Sequence, residues 1–133
     1  ESLNGRVIHT DGSKGAAKWS ANSWAPAVCH KKINGKEKFF LYFANNASSI
    51  GVLTADSPTG PWTDPIGKPI IDRSITGCAE SEIGWLFDPA VLVDDDGTGY
   101  LYLSHRFIRS LLLCNYVVLI LENAASRHIS PDS

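Results

Sequence analysis

The 133 residues leave room for one domain. An apolar fraction of 44% with 20% charged residues gives enough apolar surface for a packed core and excludes a wholly disordered chain. The formal net charge of -2 argues against nucleic acid or an anionic membrane surface as partner, because both call for a basic face.

In chain order, residues 1–18 are polar and Gly-containing, with the single apolar pair Val7-Ile8, and read as a loop with at most an edge strand. Asp11-Gly12 reads as a turn, since no Pro or strand follows it. The segment 25–32 reads as a strand whose Pro26, lacking an N–H, confines it to a strand start or an irregular inner strand. Asn34-Gly35 is a two-residue hairpin signal. The aromatic run Phe39–Phe43 after it suits a strand buried on both faces, and Ile50–Ala55 reads as a third strand. Asp56-Ser57-Pro58-Thr59-Gly60-Pro61-Trp62 breaks regular structure in a tight turn, and Pro69-Ile70-Ile71 is expected to form a fourth, outer strand or edge. Residues 72–85 read as loop. Phe87–Val93 then forms a strand, Asp94-Asp95-Asp96-Gly97 turns it, and Tyr100–Leu103 returns.

Trp24-Ala25-Pro26-Ala27-Val28 and Phe87-Asp88-Pro89-Ala90-Val91 share one order of residue types, 63 positions apart. A strand, an Asn/Asp-Gly turn and an aromatic strand follow each copy. That is the organisation of consecutive propeller blades, although the interval exceeds the usual repeat of roughly 40–50 residues. Residues 106–133 break the pattern. Ser110–Leu121 is mostly apolar but shorter than the ~20 residues of a membrane span. It reads as a buried helix, a strand pair or a stretch foreign to the fold. The expected division is therefore a partial propeller domain over 1–104 and an atypical tail over 105–133.

Chemistry-bearing residues are sparse outside the repeat. Cys29, Cys78 and Cys114 have no zinc-site spacing, which leaves either one disulfide with a spare thiol or buried free thiols. His9, His30, His105 and His128 lack partners at metal or triad spacing and read as structural or exposed. Asp94, Asp95 and Asp96 lack the terminal Glu of a calcium loop and read as a hairpin turn. No cofactor and no metal are expected. Asn46-Ala47-Ser48 matches the N-glycosylation pattern and favours a secreted protein. No Met occurs and the chain opens on Glu1-Ser2-Leu3, so a piece of a longer product is expected.

Taken together, Ser23-Trp24-Ala25-Pro26-Ala27-Val28, Asp56-Ser57-Pro58-Thr59-Gly60-Pro61-Trp62 and Phe87-Asp88-Pro89-Ala90-Val91 ahead of Asp94-Asp95-Asp96-Gly97-Thr98-Gly99-Tyr100-Leu101 resemble glycoside hydrolase family 43 over roughly residues 5–104. The resemblance implies an all-β fold of the five-bladed β-propeller family, with about two blades in this chain. It implies inverting hydrolysis of arabinose- or xylose-containing plant cell-wall polysaccharides and oligosaccharides, of the arabinofuranosidase or β-xylosidase type. The alternatives are an endo-arabinanase and a non-catalytic carbohydrate-binding propeller fragment. A secreted, extracellular protein without nucleic-acid or membrane partners follows.

The resemblance also assigns roles. Such enzymes use an Asp base, a Glu acid and an Asp that orients substrate and tunes the acid. The tuning residue corresponds to Asp88, and Trp24 and Phe87 correspond to pocket-lining aromatics. An inverting reaction holds acid and base about 6.5–9.5 Å apart, with the attacking water between them. A neighbouring negative charge keeps the acid protonated, because two carboxylates in one pocket resist ionising together. By the same resemblance the base lies upstream of Glu1 and the acid beyond Ser104. Glu80 and Glu82 precede Asp88, on the wrong side for the acid, and Glu122 has no matching context. The chain alone is therefore expected not to hydrolyse glycosides at an enzymatic rate.

Overall fold

A computed structural model describes residues 15–75, 78–79, 84–104, 116–118 and 129–131 of the chain. Every regular element among them is a strand. β1 (Trp24–Ile33), β2 (Lys36–Asn45) and β3 (Ser49–Ala55) form one antiparallel sheet in the order β1-β2-β3. β4 (Phe87–Val93) and β5 (Gly99–Ser104) form a second, and β6 (Tyr116–Val118) and β7 (Ile129–Pro131) a third. β4 packs beside β1, so the first two sheets adjoin through the strands that carry the two copies of the sequence repeat.

Local chemistry sets the hairpins. Ile33 pairs with Lys36, which leaves Asn34 and Gly35 as a two-residue connection with φ of 51° and 79°. Two positive φ values in succession match the twist of the flanking strands, and Asn-Gly adopts them at little steric cost. Between β4 and β5, the N–H of Asp94 donates to Thr98 O and that of Gly97 to Asp94 O, both at 2.8 Å. Asp96 accepts from the Thr98 N–H at 2.7 Å, and this bond, ahead of the nearby Lys31 charge, holds its carboxyl below the usual range. The Asp94–Gly97 segment is the hairpin turn its composition suggests.

β2 is the centre of the fold, and its alternating side chains feed two cores. Phe40, Tyr42 and Ala44 pack with Ile50, Val52, Ile71, Cys78, Leu86, Leu101 and Leu103. This cluster takes residues from both sheets and joins them. Leu41 and Phe43 point the other way, onto Leu53, Ala17, Trp19 and Trp62. Burying each large apolar side chain stabilises by roughly 1.5–3 kcal/mol, so these two faces hold the sheets together. The expected two-sided burial of the 39–43 run is observed.

The motif around Pro61 closes the second core. Gly60 N–H donates to Ser57 O at 3.0 Å, and Thr63 then pairs with Thr54 through bonds of 2.8 and 2.9 Å. Trp62 thereby packs against Phe43's cluster, while Trp19 stacks on Phe43 at 5.8 Å and donates its Nε1–H to Asp64 at 2.8 Å.

The expected fourth strand at Pro69–Ile71 is not a strand. Ile71 makes one isolated bridge to Ile50. Pro69 has no N–H to give, and Ile70 and Ile71 both donate to the same Ile50 carbonyl, at 2.9 and 3.3 Å, so the ladder does not propagate. Cys29 is a free thiol half-buried against the first core, and Cys78 lies inside that core. Burial pushes the Cys29 thiol up to about 11. His30 is exposed, stacks on Phe39 and lies 2.9 Å from Glu37. Residues 1–14, Cys114, His9, His105, His128, Glu80, Glu82, Glu122 and most of Ser110–Leu121 lie outside the described residues.

One cross-strand pair makes the packing testable. Gly51 sits opposite Phe43, and a Cβ built on Gly51 would lie 2.3 Å from Phe43 Cζ. The Phe43 ring occupies the space a side chain would need. Gly51→Ala is expected to lower stability by about 1–3 kcal/mol, read as a fall in the urea midpoint at unchanged slope. A neutral substitution would show that the ring does not lie over Gly51.

Candidate functional site

The two repeat copies fold alike at the point where they matter. Ala25 and Asp88 each precede a proline, and each has a left-handed backbone, with φ of 46° and 44°. In both sheets the ladder slips there, between Trp24 and Ala27 in β1 and between Phe87 and Ala90 in β4. A residue before proline is disfavoured in the right-handed helical region, and Pro26 and Pro89 donate nothing to the ladder. The bulge re-aims the side chain of the residue it displaces. Asp tolerates the left-handed region better than most residues, whereas Ala has no such allowance.

Asp88 is exposed at this bulge. Phe87, the residue before it, is half-buried and packs against the first core. The Trp24 ring meets Phe87 edge to face, with centroids 5.9 Å apart at 68°. Trp85 meets the same ring at 6.5 Å and 62°. Trp24 and Trp85 remain 44% and 51% exposed. Of the three residues the family resemblance singles out, the structure brings the Trp24 and Phe87 rings together, and Asp88 follows Phe87 in β4. Trp85 is the member sequence reading missed, because it falls in the stretch read only as loop. A large aromatic three positions before Asp88 was the available signal.

Two aromatic rings that keep about half their surface in water, with an exposed acidic residue next to Phe87 in the chain, can take a ligand with an apolar face and hydroxyl edges. Among the described residues, no cluster of three or more His, Cys, Asp or Glu side chains is arranged to hold a metal ion.

Residues 4–116 match the family described as glycosyl hydrolases family 43. The chain belongs to that family. Over 89 residues, 67% of its length, it is 70% identical to an arabinoxylan arabinofuranohydrolase of Paenibacillus polymyxa, and over 92 residues, 69% of its length, 67% identical to one of Bacillus subtilis. It spans 14% and 18% of those two proteins. A crystal structure of a family 43 arabinoxylan arabinofuranohydrolase from Bacillus subtilis in complex with cellotetraose superposes on 92% of the chain with a TM-score of 0.71 and 47% identity, the chain covering 27% of that structure.

The paired bulges predict an asymmetry. A left-handed backbone costs an Ala about 1–2 kcal/mol, and glycine adds about 0.5–1 kcal/mol of unfolded-state freedom. Ala25→Gly is therefore expected to stabilise by about 0.5–1 kcal/mol in thermal or urea unfolding. A loss of stability would contradict a left-handed residue 25.

Proposed function

We propose that this chain carries the substrate-orienting and acid-tuning part of an inverting glycoside hydrolase that removes arabinofuranose from arabinoxylan. The observation behind the reading is Asp88, held exposed at a left-handed bulge beside the Trp24–Phe87 pair. The identities of 70% and 67% to arabinoxylan arabinofuranohydrolases support the choice of polymer and sugar.

The chemistry assigns distinct tasks to these groups. The ring faces of Trp24 and Phe87 pack on the apolar face of a pentose and displace water from it. Asp88 accepts hydrogen bonds from sugar hydroxyls and fixes the pentose in its plane. Its negative charge raises the pKa of the general acid, which must stay protonated to donate to the leaving oxygen. The family's five-bladed propeller completes this picture, with the chain supplying about two adjoining blades whose inner strands are β1 and β4. An extracellular setting fits, since an arabinoxylan polymer does not enter cells.

Calorimetric titration with an arabinose-substituted xylo-oligosaccharide tests the reading on this chain. The wild type is expected to bind. Asp88→Ala removes a charged acceptor whose hydrogen bond is worth about 1.5–3 kcal/mol, and so weakens binding roughly 10- to 100-fold. Trp24→Ala weakens it about tenfold through the lost ring face. Absence of wild-type binding, or an Asp88→Ala variant that binds as the wild type does, would overturn the assignment.

A further inference from the structure

The two segments that present the aromatic rings are fastened to one and the same turn. Asn45–Ser48 connects β2 to β3, with the Ser48 N–H donating to Asn45 O at 3.0 Å. Both of its central residues are left-handed, Asn46 at 52° and Ala47 at 55°. The side chain of Asn45 faces the segment that leads into β1. Its Oδ1 accepts from the backbone N–H of Ala21 at 3.0 Å, from that of Asn22 at 3.1 Å and from Ser20 Oγ at 3.4 Å, while its Nδ2 donates to Ser49 Oγ at 3.3 Å. The side chains of Asn22 and Asn46 meet beside this network. Trp24 follows two residues after Asn22.

The Ala47 carbonyl takes the other segment. It accepts from the Leu86 N–H at 2.8 Å, immediately before Phe87 and Asp88, and from Arg73 Nη2 at 2.9 Å. Arg73 Nη2 also donates to Gly84 O at 2.9 Å and Nη1 to Cys78 O at 3.3 Å. One guanidinium thus ties the turn to both ends of the stretch that delivers Trp85. A left-handed alanine is strained and persists where its surroundings over-determine it. Here two donors converge on its carbonyl.

We propose that Asn45 and Arg73 are positioning residues for the sugar site, Asn45 setting Trp24 and Arg73 setting Trp85, Phe87 and Asp88, with the β2–β3 turn as the common anchor. The inference rests on the function proposed above for its ligand, and on geometry alone for its mechanics. The planar fork of Arg73 holds several carbonyls in fixed directions, which a lysine cannot reproduce. Asn45 works as an acceptor, so Asp in its place keeps the bonds to the two backbone N–H groups.

Fluorine NMR of the fluorotryptophan-labelled chain tests this directly. Its four tryptophans, Trp19, Trp24, Trp62 and Trp85, are assigned by Trp→Phe variants. Asn45→Ala is expected to move the Trp24 resonance, and Arg73→Gln and Arg73→Lys the Trp85 resonance, with Trp62 unmoved in all three. Asn45→Asp restores the wild-type Trp24 position. Affinity for the arabinose-substituted xylo-oligosaccharide falls about tenfold in Asn45→Ala and Arg73→Gln, as pre-set geometry is lost, and returns in Asn45→Asp. Leu53→Ala, which removes packing from the second core and touches neither arm, lowers the unfolding midpoint but leaves the Trp24 and Trp85 resonances and the affinity in place.

Unmoved Trp24 and Trp85 resonances would overturn the proposal. So would all four moving together, or moved resonances with unchanged affinity. If the wild-type chain binds no such sugar, the function proposed above falls, and the fluorine pattern then decides the mechanical claim by itself.

Discussion

Strand β2 is the constraint on which the rest of the structure depends. It is paired on both edges and buried on both faces, and its two rows of side chains serve different purposes. Phe40, Tyr42 and Ala44 join the first sheet to Leu101 and Leu103 of the second. Leu41 and Phe43 hold the Trp19 and Trp62 segments against the opposite face. Because β2 is fixed from all sides, the turn at its end is a fixed point too. That turn anchors the backbone before Trp24 and before Phe87. The backbone on either side of the proposed site is thus tied to a core to which Trp24 and Asp88 themselves do not belong.

The repeat gains physical content from this arrangement. The likeness between Trp24–Val28 and Phe87–Val91 is more than shared spelling, because both copies place a left-handed residue before proline at a slipped register. The copies differ in what stands at the bulge. One carries Ala25, which offers no chemistry; the other carries Asp88. Backbone strain in a chain tends to persist where function or surroundings demand it. A carboxylate at one bulge and a methyl group at the other put the chemical group on one side of the Trp24–Phe87 contact only.

Much of the fold was legible because its signals are local. Asn34-Gly35 fixes a hairpin by backbone preference alone, and the aromatic run at 39–43 marks a strand with no solvent face. The repeat matches Trp24 with Phe87 and Ala25 with Asp88, while the roles given to Trp24, Phe87 and Asp88 come from the family resemblance alone. What escaped depends on distant partners. Pro69–Ile71 has the composition of an edge strand, and only the doubled use of the Ile50 carbonyl reveals that no ladder forms. Asn45 and Arg73 reach backbone groups 24 and 26 positions away, and nothing in the neighbouring residues announces such bonds. Trp85 escaped because an aromatic in a loop carries no period to read.

The central claim is that a pentose lies on the Trp24–Phe87 rings against Asp88. Its most direct test is a map of backbone amide shifts in the isotope-labelled chain as an arabinose-substituted xylo-oligosaccharide is added. The account predicts saturable shifts concentrated at Trp24, Trp85, Phe87 and Asp88, with the Asp94–Gly97 turn and the Ser57–Gly60 turn silent. Shifts that gather at those turns and spare residues 24 and 85–88 would contradict it.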